Sequence, residues 1–156
     1  MSTRPKVEPV DPEKYPRKIT LPFNASLLGE AIRRIHTGQS IGEMFEASVR
    51  AHGSRLALVA GKERLTYAQL GARVQRVAGH LVRLGFRTYD RVILQLPNVA
   101  EFVVAYFACQ RIGVIPLTCL PAFRHAEVEY FANFIEAAGY FVPAEFRGFD
   151  YVAMAA

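Results

Sequence analysis

The residue types that most often bind phosphate are scarce in this sequence. No two of its eleven glycines stand two positions apart, which excludes a Gly-x-Gly-x-x-Gly loop. The one Gly-Lys pair, Gly61-Lys62, has Leu56 where a Walker loop requires its first glycine. Lys62 is also the last lysine, and Ser54 is the last serine. We therefore predict a hairpin turn at Gly61-Lys62 and no phosphate-binding loop.

Acidic, imidazole and thiol side chains offer little further chemistry. No two of the four histidines have metal-ligand spacing, and surface or helix-capping roles are predicted for them. Glu127 and Glu129 suit the N-terminus of one predicted helix, with an acid–base carboxylate pair as the alternative. The cysteines are interpreted as small buried residues in a reducing compartment. These residues are His36, His52, His80 and His125; Glu127, Glu129 and Glu136; and Cys109 and Cys119. No catalytic, cofactor-binding or metal-ligating residue is predicted.

A basic stripe follows one predicted helix, opposite an apolar arc formed by Leu70, Val74, Val77, Ala78, Leu81 and Leu84. Its members are Arg73, Arg76, His80, Arg83 and Arg87. Such a stripe could contact nucleic acid, but no aromatic side chains alternate with the arginines to stack on bases. The formal net charge is +5, and the basic excess is spread along the chain. We therefore predict a solvated helix face and no nucleic-acid partner.

The elements that must position these residues alternate between helix and strand. Residues 1–25 are predicted to be an extended lead-in, and residues 26–156 a partial α/β subdomain. The predicted elements are helices over Ser26–His36, Ser40–Gly53, Thr66–Gly85, Asn98–Gly113 and Arg124–Ala138, a helix opening at Asp150, and strands over Leu56–Ala60, Arg64–Thr66, Arg91–Leu96, Val114–Leu120 and Tyr140–Ala144. Three helices have a predicted N-cap followed three residues later by Glu or Gln: Ser40, Thr66 and Asn98.

The order of elements after Arg64 predicts the fold class. Strands and helices alternate through short connections, which favours parallel strands and right-handed crossovers. The predicted fold is α/β, with a mostly parallel sheet, flanking helices and an N-terminal β-hairpin. Residues Phe102–Cys109 are apolar on every side of their helix, and such a helix is normally covered all round. We expect another segment to cover it, which makes this helix a candidate surface for self-association or partner docking.

Targeting signals are not apparent in the sequence. No uncharged apolar stretch reaches the length of a membrane span. The charged, proline-rich start is unlike a signal peptide. We expect a cytoplasmic protein with no membrane partner.

Several short segments resemble the N-terminal part of the adenylate-forming enzymes, the superfamily of acyl-CoA synthetases and peptide-synthetase adenylation domains. "LTYAQL" is similar to an early Thr-Tyr-x-x-Leu signature of that superfamily. "QLPNVAEFVV", "LPAFRHAEVEYF" and "GFDY" resemble the aryl acid–AMP ligases of siderophore biosynthesis, which activate 2,3-dihydroxybenzoate or salicylate. The similarity extends from about Ser40 to Tyr151.

The resemblance implies a two-step ligase that uses ATP and Mg²⁺. An aryl acid becomes an acyl-adenylate, and the acyl group then passes to the thiol of an aryl carrier protein. The family's phosphate loop, aryl pocket, ribose-binding aspartate and late catalytic lysine match no position here. The chain is therefore expected to be an N-terminal fragment that is inactive and binds no cofactor alone. The alternatives are a non-catalytic interaction module or one part of a split ligase, and a fragment of a general acyl-CoA synthetase.

Two positions depart from the family's pattern. Thr88-Tyr89 stands where the family usually has Pro-Gly before Asp-Arg-Val. If that turn still needs a positive φ, Tyr89 must adopt a strained backbone. Phe123 precedes Arg124 where the family often has histidine. No functional residue is assigned at either position.

Overall fold

The computed structural model describes residues 41–156. The predicted lead-in over residues 1–25, the helix over Ser26–His36 and the Ser40 N-cap lie outside these residues. The helices are α1 (Ile41–His52), α2 (Tyr67–Arg83), α3 (Ala100–Arg111), α4 (His125–Phe134) and α5 (Tyr151–Ala155). The strands are β1 (Leu56–Ala60), β2 (Glu63–Thr66), β3 (Arg91–Leu94), β4 (Ile115–Thr118), β5 (Gly139–Phe141), β6 (Glu145–Phe146) and β7 (Phe149–Asp150).

A parallel sheet of three strands forms the middle layer, in the order β4–β3–β5. Val92 of β3 lies beside Pro116 of β4 on one side and Gly139 of β5 on the other. The sheet has a helical layer on each face, because alternate residues of β3 point to opposite sides. Val92 joins the core formed with α1, α2 and α3, whereas Ile93 joins the core formed with α4 and α5. The predicted α/β class, parallel sheet and flanking helices are confirmed.

Helix α2 shows how local sequence signals set the boundaries of an element. The Thr66 hydroxyl accepts a hydrogen bond from the Gln69 N–H at 3.3 Å, and the Gln69 side chain accepts one from the Thr66 N–H at 2.9 Å. This reciprocal capping box is worth about 1 kcal/mol. The predicted inner arc is buried at Leu70, Val74, Ala78 and Leu81. Leu84, which was also expected on that arc, is exposed because the helix ends at Arg83.

The apolar helix α3 is covered, as expected, and the covering helices lie within this chain. None of its residues from Phe102 to Cys109 is exposed. Helix α1 covers it through a stacked pair of rings, Phe45 and Phe107, whose centroids are 4.2 Å apart. Helix α2 joins α3 in the same apolar core. No fully exposed side chain between Phe102 and Cys109 supports docking through this helix, which stays a prediction.

Two other expectations about element order or ends were wrong, and one element was not predicted. Strand β2 forms the predicted N-terminal hairpin with β1, but among the described residues it does not join the parallel sheet that the alternation from Arg64 implied. Asn98 does not cap α3: the Val99 N–H bonds to the Pro97 carbonyl at 2.8 Å, and Val99 occupies the N-cap position without a side-chain bond. This tight turn at Asn98 separates its side chain from the first helical turn. A short hairpin of β6 and β7 was not predicted.

Helix α4 ends earlier than predicted. Its last residue is Phe134, and Glu136 adopts a positive φ of 51°. The Ala137 N–H bonds to the Ala132 carbonyl and the Glu136 N–H bonds to the Asn133 carbonyl, which is the bonding pattern of a Schellman cap. Because this cap uses a glutamate, the sequence signal at Gly139 was misleading. Gly139 instead opens strand β5.

Candidate functional site

The carboxyl ends of β3, β4 and β5 meet at one edge of the sheet because the strands are parallel. Open α/β sheets bind their ligands outside this edge. The segments that follow the strands begin at Gln95, Cys119 and Val142. We therefore consider this carboxyl edge the candidate functional site.

Gln95 is the one buried polar side chain of the core among the described residues, with 0% exposure. Its amide nitrogen donates to the Leu120 carbonyl at 2.8 Å and to the Phe123 carbonyl at 3.0 Å. Its amide oxygen accepts a hydrogen bond from the Tyr140 hydroxyl. One side chain therefore links the ends of β3 and β5 to the loop that follows β4. We call residues Cys119–Arg124 the β4 loop.

Tyr140 is a donor held in its protonated form. Burial, together with the nearby Cys119 and Tyr151, raises the pKa of Tyr140 to about 12 against an ordinary value of 10.0. A neutral hydroxyl can donate to the Gln95 amide oxygen, whereas a phenolate cannot. Burial and the hydrogen bond to Gln95 therefore both favour the protonated form of Tyr140 at neutral pH.

The far side of the β4 loop is held by aromatic rings. The Tyr151 hydroxyl donates to the Pro121 carbonyl at 2.6 Å, and its ring is 1% exposed. The guanidinium carbon of Arg124 lies 3.9 Å from the centroid of the Phe149 ring, a cation–π distance. Arg124 also donates to the Pro121 and Phe123 carbonyls, each at 2.8 Å. Hydrogen bonds from both sides thus hold the loop in one conformation.

Neither the Gly61-Lys62 pair nor a described histidine takes part in the hydrogen bonds of Gln95. Gly61-Lys62 forms the turn between β1 and β2, as predicted, with Gly61 at a φ of 60°. His52 is in the last turn of α1 and His125 opens α4, both exposed, while His36 lies outside the described residues. His80 faces solvent near Arg83. Among residues 41–156, no group of three or more His, Cys, Asp or Glu side chains could hold a metal ion.

The three glutamates do not come together as a catalytic pair. Glu127 accepts a hydrogen bond from the Arg124 N–H at 3.0 Å. This bond is the main reason that the pKa of Glu127 is lowered. Glu129 is exposed in α4, whereas Glu136 lies beyond the end of that helix. The helix-N-terminal role predicted for Glu127 is confirmed.

Both cysteines are buried and unpaired with each other. Burial raises the pKa of the Cys109 thiol to about 11 and also raises that of Cys119. A thiol with a raised pKa has little nucleophilic thiolate at neutral pH. The interpretation as small buried residues is confirmed.

The basic stripe on α2 divides into two parts. Arg76, Arg83 and His80 are exposed, as predicted. Arg73 is instead paired with Glu63, nitrogen to oxygen 2.5 Å. Arg73 and Arg76 together line a cavity of about 670 Å³ between α2, α3 and the outer side of β5. This cavity was not predicted from the sequence.

The residues that shape the carboxyl edge were also not singled out from the sequence. Gln95 interrupts an apolar run immediately after a buried strand, and that interruption was the available signal. Its partner Tyr140 is 45 positions further along, so the pairing depends on the strand order. No helix among residues 41–156 is long and apolar enough to cross a membrane.

An open parallel sheet, layered by helices on both faces and preceded by a hairpin, defines a ligand-binding class of α/β scaffold. The family described as AMP-binding enzyme matches residues 45–155, most of the chain, so this chain belongs to the AMP-binding enzyme family. The resemblance of its short segments to adenylate-forming enzymes is thereby confirmed.

Individual relatives give more detail. The chain is 42% identical over 136 residues to triostin synthetase I of Streptomyces triostinicus, covering 86% of this chain and 26% of the relative. It is 37% identical over 118 residues to 2,3-dihydroxybenzoate-AMP ligase of Bacillus subtilis, covering 76% and 22%. The apo structure of Mycobacterium smegmatis MbtA superposes with a TM-score of 0.63 at 37% identity, covering 65% of this chain and 19% of the other. The chain thus spans about a quarter of the length of these curated relatives.

Proposed function

We propose that residues 41–156 form the N-terminal scaffold of an aryl acid–AMP ligase. In this role the chain supplies one wall of a site whose reacting groups are carried by further polypeptide. The substrate would be 2,3-dihydroxybenzoate or salicylate, activated with ATP and Mg²⁺ and passed to an aryl carrier protein. The observation that carries the proposal is the 37% identity with 2,3-dihydroxybenzoate-AMP ligase over 118 residues.

In this proposal, the chain contributes by holding the β4 loop in place at the carboxyl edge of the sheet. The side chains of Gln95, Tyr151 and Arg124 fix the β4 loop by donating hydrogen bonds to its backbone carbonyls. A loop held in this way at the carboxyl edge can present a preformed surface to a ligand. Because the loop is already ordered before a ligand arrives, the entropic cost of binding is lower.

We assign no ligand of ATP or Mg²⁺ among the described residues. The side chains of Gln95, Tyr140 and Tyr151 at the carboxyl edge are already bonded to backbone carbonyls or to one another. Within residues 41–156, no group of three or more His, Cys, Asp or Glu side chains could hold a metal ion. We therefore assign no step of adenylate formation to this chain.

The test replaces the matched segment of the Bacillus subtilis ligase with this chain. ATP–pyrophosphate exchange that depends on 2,3-dihydroxybenzoate should appear in this chimera and be absent from the purified 156-residue chain. A folded chimera without exchange would contradict the proposal, as would exchange by the chain alone.

A matched pair of variants tests whether the β4 loop matters. Gln95→Leu in the chimera should reduce exchange by about tenfold or more, because displacement of a positioning loop can lower rates strongly. Gln75→Leu makes the same change at an exposed position of α2 and should leave exchange unchanged. Melting temperatures of both variants separate loss of position from loss of fold.

A further inference from the structure

Two neighbouring aromatic rings are exposed on helix α4. Tyr130 is 63% exposed and Phe134 is 74% exposed. Their rings are stacked, with centroids 6.0 Å apart and an angle of 12° between the planes. The half-buried ring of Phe131 meets Tyr130 edge-on. Exposed apolar side chains that cluster in this way, unlike scattered ones, mark a binding surface.

This part of α4 carries an acidic excess. The two rings and Glu127 are spaced three and four residues apart, so they lie on one side of the helix. Residues 127–136 contain three glutamates and no lysine, arginine or histidine. Two arginines border the region: Arg91 donates to a backbone carbonyl at 3.4 Å, and Arg124 lies over the Phe149 ring. We call five exposed residues the α4 aromatic face: Glu127, Glu129, Tyr130, Phe134 and Glu136.

The sequence that precedes the described residues contains a segment of opposite charge. Residues 14–18 read Lys-Tyr-Pro-Arg-Lys, with three cationic side chains and no acidic one. Five of the nine prolines fall within residues 1–22. Proline-rich sequences favour the polyproline II conformation, which binds surfaces lined by aromatic rings. Arginine and lysine are also attracted to the faces of such rings.

The chain is long enough to bring this segment to α4. Lys18 and Ile41 are 23 positions apart. Even with the helix predicted over Ser26–His36, these residues can span about 55 Å. A domain of this size has a radius of gyration of only about 13 Å. The segment can therefore pass from α1 to the opposite face of the sheet, where α4 lies.

We infer that the α4 aromatic face binds residues 14–18 of the same chain. The proline and the cationic side chains pack on the rings of Tyr130 and Phe134, and the glutamates neutralise the cations. A second copy of the chain is a poorer occupant, because two acidic faces would meet. Ligase activity plays no part in this contact, and the tests below measure the contact alone.

The first test uses fluorescence. The chain contains no tryptophan, so Tyr15→Trp in the full chain supplies a single indole reporter. Adding Phe134→Ser should raise the acrylamide quenching constant of this indole about threefold, because a covering ring is lost. Val82→Ser removes another exposed apolar side chain, from α2 on the other face of the sheet, and should leave the constant unchanged. Equal constants in the two variants would overturn the inference. Melting curves check that both variants are folded.

The second test identifies the occupant by photo-crosslinking. With p-benzoylphenylalanine in place of Phe134, irradiation of the full chain should link position 134 to residues 14–18. The product should have the mass of one chain, and peptide masses locate the link. A product with the mass of two chains would assign the face to a second copy and overturn the inference. Absence of a link to residues 14–18 would also overturn it.

A matched pair of charge reversals tests the glutamates in the same crosslinking assay. Glu129→Lys should reduce the yield of the link about threefold, since it places like charges together. Glu101→Lys reverses the same charge at an exposed position of α3, on the other face of the sheet, and should leave the yield unchanged. Equal yields from the two variants would show that charge does not select the occupant, contrary to the inference.

Discussion

The two ends of the parallel sheet are held together in different ways. At the carboxyl end, side chains hold a loop: Gln95 and Tyr151 donate to carbonyls of the β4 loop. At the amino end, hydrogen bonds between backbone groups join the segments. The Tyr89 N–H donates to the Gly113 carbonyl at 2.8 Å, and the Ile115 N–H donates to the Asp90 carbonyl at 2.8 Å.

Sequence tolerance should differ between the two ends for this reason. Backbone turns constrain φ and the space near the Cα atom, so they select small residues or those that accept a positive φ. Side-chain hydrogen bonds constrain chemical type instead. The carboxyl end can thus acquire new ligand contacts by exchanging polar residues, while the amino end maintains the sheet. The following variants test that division, from the largest expected effect to the smallest.

Gln95→Leu should have the largest effect. It leaves the Leu120 and Phe123 carbonyls and the Tyr140 hydroxyl without their partner in a buried site. We expect the free energy of unfolding to fall by about 3 kcal/mol, measured by urea denaturation. Gln75→Leu, at an exposed position, should change it by less than about 0.5 kcal/mol. Equal effects would show that the carboxyl end does not depend on this side chain.

Gly113→Ala should be the most damaging change at the amino end. Gly113 has a φ of 76°, and an added Cβ would lie 2.7 Å from Thr88 Cγ2. The expected loss is roughly 2 kcal/mol, from backbone conformation and from the close contact together. Gly61→Ala is the control, because Gly61 has a φ of 60° but open space around it. Thr88→Ala should restore part of the stability of Gly113→Ala and none of that of Gly61→Ala.

Tyr89→Asn should increase stability. Tyr89 has a φ of 72°, which confirms the positive φ anticipated at this turn, and its side chain is 77% exposed. Asparagine accepts this backbone conformation more readily, and little packing is lost. We expect a gain of about 1 kcal/mol in the free energy of unfolding. Tyr89→Val, which is less tolerant of positive φ, should give no gain, and a gain of equal size would refute the backbone explanation.

Ionisation of Tyr140 should lower the stability of the fold in alkaline solution only. Its pKa is about 12 in the folded chain against an ordinary 10.0, so the folded state retains its proton longer than the unfolded state. Stability should therefore decline as the pH rises from 10 towards 12. Tyr140→Phe should make this decline shallower, although the raised pKa of Cys109 contributes a similar slope between 9 and 11. Unfolding curves at intervals across that range, with Cys109→Ala as background, isolate the tyrosine.

Much of the fold followed from local sequence signals. The Thr66–Gln69 capping box and the apolar arc of α2 lie within one stretch, so the sequence alone contains the required information. The Gly61 turn is equally local. Alternation of strands and helices then sufficed for a parallel sheet and for its helical layers.

The remaining features depend on contacts between distant residues. The end of α4 could not be located because its cap uses Glu136, which has no intrinsic preference for positive φ. The covering of α3 depends on where Phe45 stacks, 62 positions away from Phe107. The carboxyl-edge network needs β5 beside β3, since only that order brings Tyr140 to Gln95.

Because both thiols are buried, their labelling rates can report local opening of the folded chain. Cys109 lies in the core between α3 and the sheet, and Cys119 lies on the other face at the carboxyl edge. A thiol-reactive dye can label each only when its layer separates from the strands. The two labelling rates, resolved by peptide mass, would therefore time the detachment of each helical layer in the unmodified protein.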